Sequence, residues 1–196
     1  MKNSVSIRLL ISLIATAVML LGCAGRAPLP AKSGTVPAGV DLSGLWQLRD
    51  DSQAANQAIS DIEREAAGAD EGLIPKSSRK TSARKKNDDT QVHVFLETGE
   101  VLKITQVERG LFVSFDRAIV EEYRFGEQRM ANVGPVVADR VSGWESGAYV
   151  IETRDKEGAM LIETYRLDGK DVMIRTIRIV YDGKSKLDVQ QVFDRA

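Results

Sequence analysis

One cysteine and one histidine in 196 residues deprive this chain of most familiar chemistry. A lone thiol can form no disulfide within the chain. Catalysis by a nucleophile with its base, and zinc binding through Cys and His, both need partners that are missing. No Gly-rich phosphate loop follows a strand, no Cys/His metal spacing is present, and no Asp ladder of the EF-hand kind occurs. No cofactor and no metal are therefore expected. Charge of either sign is also scarce in the sum, with a formal net charge of −1, so nothing global calls for nucleic acid. The uncharged stretch from Leu9 to Leu21 has thirteen residues. A helix crossing a hydrocarbon core of about 30 Å needs about 20.

What is there begins with the layout of an export signal: basic Lys2 and Arg8, the uncharged stretch, then Leu20-Leu21-Gly22-Cys23. These last four residues resemble the lipobox of bacterial lipoproteins. The resemblance implies cleavage before Cys23, a diacylglyceryl thioether on its sulfur and an acylated amine. An exported protein meets an oxidising compartment, where a solitary cysteine needs a reason, and lipidation supplies one. Each buried CH₂ contributes about 0.8 kcal/mol, so two or more acyl chains make a lasting anchor. Ala24 follows the cysteine, where an aspartate commonly favours inner-membrane retention in the lipoproteins this resembles. The expected location is the cell envelope, on the outer membrane, with the domain facing the periplasm. Without Lys2 and Arg8 the mature chain has 25 basic against 28 acidic residues.

Three regions follow from this reading: a signal peptide at 1–22, a lipidated cysteine with a flexible Pro- and Gly-rich tether at 23–40, and one folded domain at 41–196. As a coil, residues 24–40 would span about 20–25 Å and at most roughly 60 Å. Leu42, Trp46 and Leu48 alternate in a first strand. Ala55, Ala58, Ile59, Ile62 and Ala66 recur at helical spacing, giving a helix at about 52–67 with Asp51-Ser52 before it and Gly68 as a stop. Apolar residues nearly vanish between Ala69 and Thr90, which reads as a disordered basic loop inserted after the first strand.

Beyond it come short β-rich runs with turn signals between them. They are Val92–Glu97, Val101–Val107, Leu111–Asp116, Ile119–Phe125, Val136–Val141, Tyr149–Thr153, Met160–Leu167, Val172–Tyr181 and Leu187–Phe193. Asp168-Gly169 and Asp182-Gly183 are hairpin signals that make the last three strands a meander. In Val172–Tyr181 the apolar alternation slips after Ile174, which predicts a bulge near Thr176. The expected fold is mainly β, a small antiparallel barrel or half-barrel of about ten strands.

Gly44-Leu45-Trp46 resembles the Gly-x-Trp opening of lipocalin-like proteins. Gly143-Trp144-Glu145, Val150-Ile151-Glu152-Thr153, Glu163-Thr164-Tyr165-Arg166-Leu167 and the terminal Val192-Phe193-Asp194-Arg195 are similar to a broad group of uncharacterised exported bacterial proteins. That resemblance covers roughly the C-terminal half. It implies a lipocalin-like barrel and brings no activity with it.

Trp46 is a core anchor by its position, and His93 reads as a partly exposed strand residue on the face of Gln91, Phe95 and Glu97. Ligand-binding candidates are Trp144, Glu163 and Arg175. Lys76, Arg79, Lys80, Arg84, Lys85 and Lys86 form the one locally extreme charge run, a candidate contact for an anionic envelope component or lipid surface. The functional expectation is a membrane-anchored, non-enzymatic binding module, either a carrier of a small apolar ligand or an envelope adaptor whose protein partner the sequence does not name. The alternative is an enzyme using barrel carboxylates, with Glu145, Glu152 and Glu163 as candidates and Arg166, Arg175 and Arg178 as partners. A carrier needs a cavity of about 300 Å³ or more with apolar walls, an adaptor an exposed apolar patch or sheet edge, and an enzyme converging charged groups.

Overall fold

A computed structural model describes residues 26–70 and 91–196 of the chain. The expected signal peptide, Cys23 and the six basic residues from Lys76 to Lys86 lie outside the described residues. Ten strands are present among the described residues: β1 (Gly44–Leu48), β2 (Val101–Val107), β3 (Gly110–Phe115), β4 (Ile119–Arg124), β5 (Glu127–Val133), β6 (Val136–Glu145), β7 (Ala148–Asp155), β8 (Met160–Leu167), β9 (Val172–Tyr181) and β10 (Lys184–Arg195). One helix, α1 (Gln53–Asp70), follows β1 after a 3-10 turn at Asp50–Ser52.

All the strand pairs are antiparallel, and the order is β4-β3-β2-β1-β10-β9-β8-β7-β6-β5. Each strand neighbours the next in sequence except at one place. β1 is bonded on both sides, with Trp46 opposite Arg195 on β10 and opposite Leu102 on β2. First and last strands are thereby joined, and the two ends of the sheet are β4 and β5, which a short turn at Phe125-Gly126 connects. Side chains bridge the narrow end of the remaining opening. Ser142 Oγ donates to the Arg124 carbonyl at 2.8 Å, Arg129 donates to the Glu122 carbonyl at 3.4 Å, and Arg140 lies 3.5 Å from Glu121. The result, among the described residues, is a nearly closed antiparallel barrel of ten strands with one helix.

Inward positions alternate along each strand, as a pleated sheet requires. Trp46, Leu102, Phe115, Tyr123, Tyr149, Tyr165 and Phe193 fill one half of the barrel. Ile59 of α1 closes the other half over Phe95, Leu161, Ile177 and Ile179. At about 1.5–3 kcal/mol for each fully buried large apolar side chain, these two clusters supply most of the drive to fold.

Four expectations need correction. Val92–Glu97 is no strand: Val92–Phe95 is a 3-10 turn. Its spacing of three puts Val92 and Phe95 on one side, where both are buried. β5 was missed, because only Ala131 along it is buried and Met130 stands exposed, leaving no apolar alternation to read. The bulge lies between Ser185 and Leu187 on β10, while β9 pairs without interruption through Thr176. The alternation of β9 never slips, because Met173, Arg175, Ile177 and Ile179 all face inward and one of them is an arginine.

The fourth correction concerns the tether. Residues 26–40 do not trail away from the domain but run along the outside of β6 and β7. Ser33 exchanges two backbone hydrogen bonds with Trp144, at 2.9 and 3.1 Å. Lys32 sits between Glu145 (2.6 Å) and Glu152 (2.7 Å). Burial lowers its pKa, and the hydrogen bonds it donates to both carboxylates outweigh that and hold it above the ordinary lysine value. Leu29 is buried, and Val36 and Val40 pack on the barrel core. These contacts offset the ordering entropy that composition alone suggested was unopposed.

Candidate functional site

A groove of about 550 Å³ lies on the outside of the barrel, over β1, β2 and the β3–β4 turn. Gly44, Leu45, Val101, Lys103, Ser114 and Arg117 are among the residues that line it. The strand register assembles it. Leu45 lies opposite Lys103, and Lys103 opposite Ser114, so one outward row crosses three strands. Leu45 is 37% exposed although apolar.

Arg117 is held over the groove by a strained turn. Asp116 and Arg117 have φ of 48° and 62°, the paired left-handed values of a type I′ hairpin that usually recruits Asn or Gly. Asp116 is stitched to the start of β2 twice: its N–H donates to the Val101 carbonyl at 2.9 Å and its carboxylate accepts from the Val101 N–H at 2.7 Å. Strained backbone of this kind persists where the surroundings over-determine it, and such places cluster at functional sites. Neither Lys103 nor Arg117 makes an ion pair among the described residues.

A second, more polar hollow of about 200 Å³ sits at the opening between β4 and β5. Phe95, Glu121, Arg129, Val133 and Arg140 line it. Arg140 is buried, donates to Thr153 Oγ1 at 3.0 Å and lies over the rings of Phe95 and Tyr123. It fills the passage inward and leaves less room than a small-ligand site ordinarily has.

The predicted residues fall into three places. Trp144 is a core residue, edge-on to Phe125 and Tyr149 and tied to Ser33 through its backbone. Trp46 is wholly buried, with Nε1 donating to the Leu42 carbonyl at 3.0 Å and Arg195 stacked 4.2 Å from its ring. Glu163 and Arg175 meet inside the barrel at 2.5 Å, 1% and 0% exposed. Arg175 also donates to the Glu97 carbonyl and to Gln191, which in turn donates to Asn56 of α1. Burial pulls the Arg175 pKa down, and Tyr165 and Glu163 beside it push it back above the ordinary value. Glu163 Oε1 and Arg175 Nε keep no hydrogen-bond partner among the described residues.

Of the three candidate carboxylates, Glu145 and Glu152 share Lys32 on the outside and Glu163 is neutralised within. Arg178 pairs with Asp188 at 3.3 Å and Arg166 is exposed. The three acids therefore do not converge on one cleft. His93 lies in the 3-10 turn, half-buried. The sequence reading missed Leu45, Lys103 and Arg117. An apolar Leu45 at an outward strand position was the one local sign, and only the pairing of β1, β2 and β3 shows what stands beside it.

No family model and no curated protein sequence matches the chain. Solved structures similar to it include human cRBP IV, at 16% identity and a TM-score of 0.43 over 80% of this chain and 99% of that one. A secretary abundant heat soluble protein from Ramazzottius varieornatus has 11% identity and a TM-score of 0.46 over 83% and 100%. A luciferase domain from the dinoflagellate Lingulodinium polyedrum has 18% identity and a TM-score of 0.49 over 86% and 47%. The strand pairing, not these distant likenesses, defines the architecture.

Proposed function

We propose that this chain is a non-enzymatic binding module of the bacterial envelope, anchored through acyl chains on Cys23, and that it takes a small amphipathic ligand with an acidic group in the outer groove. One observation carries the reading: a largely apolar groove of about 550 Å³ is lined by two cations, Lys103 and Arg117, that no acid among the described residues engages. The size falls within the usual range for small-molecule sites. Aromatic side chains fill the barrel interior, so the ligand belongs outside.

Magnitudes say which part decides. Burying about ten methylenes yields about 8 kcal/mol. Association costs of about 4–15 kcal/mol take half of it or more. The charged lining therefore determines whether binding is measurable. Each exposed ion pair contributes about 0.2–1 kcal/mol, so reversing both cations costs on the order of tenfold in affinity.

The test is a fluorescence titration of the mature chain in mild detergent with dansyl-undecanoic acid and with its neutral amide. Saturable binding with preference for the acid is expected, and Lys103→Glu with Arg117→Glu should abolish that preference. Equal binding of acid and amide, or an affinity that the double substitution leaves unmoved, contradicts the reading.

A further inference from the structure

We infer that the segment Arg26–Val40 is a rigid strap that holds the β7–β8 end of the barrel against the bilayer, leaving a leash only three residues long. The inference rests on the reading that Cys23 is acylated, and goes beyond it by fixing which surface meets the lipid and how closely.

The N-terminal end of the strap is locked by one side chain. The Arg26 guanidinium donates to three successive carbonyls of the β7–β8 turn: Asp155 at 3.2 Å, Lys156 at 3.1 Å and Glu157 at 3.2 Å. Next to it, the Ala27 carbonyl accepts from Arg154 at 2.8 Å. The turn is shaped around the guanidinium. Gly158 has φ of +100°, and a Cβ there would lie 2.5 Å from Arg26 Nη2. Further along, Lys32 and Ser33 fasten the strap as described, and Gly34 crosses Gly126 so closely that a Cβ on Gly126 would stand 3.1 Å from Gly34.

Only Ala24 and Gly25 separate Cys23 from Arg26. Fully extended, three residues reach about 10 Å. Arg26 cannot stand farther than that from an acylated sulfur at the membrane surface. The free coil expected from composition would have allowed at most roughly 60 Å. The occupant of this end of the barrel is thus a lipid surface.

A second observation places the same end. The Gln91 N–H donates to Asp155 Oδ2 at 3.0 Å. Gln91 is the residue at which the chain rejoins the domain after its run of basic residues, and Asp155 is the residue whose carbonyl holds Arg26. Arg26 and Gln91 thus meet the domain at one residue, Asp155. Basic residues close to an anionic lipid surface add to the hold of an acyl anchor. The antiparallel order puts the β3–β4 turn at this same end, so Arg117 of the groove also lies toward the bilayer.

The test uses the full chain, acylated in a bacterium that processes lipoproteins and reconstituted in phosphatidylglycerol-containing vesicles. Because acylation blocks Cys23, a cysteine introduced elsewhere is the sole free thiol for a fluorophore. Glu157→Cys, in the β7–β8 turn, should be strongly quenched by headgroup-nitroxide lipids, and Ser146→Cys, in the turn at the opposite end, only weakly. Inserting about ten Gly/Ser residues after Gly25, a coil of roughly 16–19 Å, should remove most of the difference between the two labels. Equal quenching at both turns, or a difference that the insertion leaves intact, overturns the short leash. Intact mass and vesicle flotation report acylation separately. Absence of acyl mass overturns the anchored reading and the leash with it, whereas acylated, floating protein with equal quenching overturns the leash alone.

Discussion

Arg117 occupies backbone territory that costs an ordinary side chain about 1–2 kcal/mol. Its reward in a purely structural turn would be nil, since it makes no ion pair among the described residues and Asp116 alone ties the turn to β2. Arg117→Gly should therefore raise stability by about 1 kcal/mol in chemical unfolding while weakening binding of the acidic probe. A variant that is both more stable and equally good at binding would remove Arg117 from the site. The buried pair behaves in the opposite way. Glu163→Gln leaves the Arg175 charge uncompensated where no water reaches it, and should cost about 3–5 kcal/mol. Glu163→Leu with Arg175→Met should recover most of that loss, because desolvating both charges is itself expensive. An unfolding midpoint unmoved by the single change would show that the pair is not the buried contact described. The same pair explains a misreading of the sequence. An arginine at an inward position of β9 looks like a break in the apolar alternation until Glu163, twelve residues earlier, is seen diagonally across from it on β8.

At the scale of elements, strands with a buried row and turns with a chemical signature were legible. The two Asp-Gly hairpins, the meander β8-β9-β10 and the helix after β1 follow from local pattern, though α1 continues past Gly68 to Asp70. Elements made by tertiary contact were not. β5 carries its one buried residue, Ala131, against Ala138 of β6, and the 3-10 turn at Val92–Phe95 is set by Gln91 on Asp155. The strap is the strongest instance, since nothing in its own composition announces the acids of β6 and β7 that receive Lys32. Gly143 shows what it depends on: a Cβ there would lie 2.5 Å from the Ser33 carbonyl and 2.9 Å from the Gly126 N–H nitrogen. Gly143→Val should expel the strap while leaving the sheet paired. Hydrogen exchange at Ser33 would then rise to that of an open chain, with β8 to β10 still protected. Unchanged protection at Ser33 would contradict the close packing.

For the whole molecule, barrel closure and binding are separate achievements. Closure comes from joining β1 to β10 and packing aromatic residues inward, and it uses up the interior. What remains for a ligand is the outer face, where Leu45, Phe112 and Val120 are exposed on β1, β3 and β4. The candidate site was correspondingly hard to foresee. Sequence reasoning looks for ligand residues among the aromatic and charged positions of a barrel's inside, and here those positions hold one another. The groove instead draws single unremarkable residues from β1, β2 and the β3–β4 turn, which become neighbours only through cross-strand register.

Native mass spectrometry of the chain, purified from its native host in mild detergent, tests the central claim most directly. The account predicts a retained acidic amphiphile on the native chain and its loss from the chain carrying Lys103→Glu and Arg117→Glu. A bare mass for the native chain, or an adduct that survives the double substitution, would contradict it.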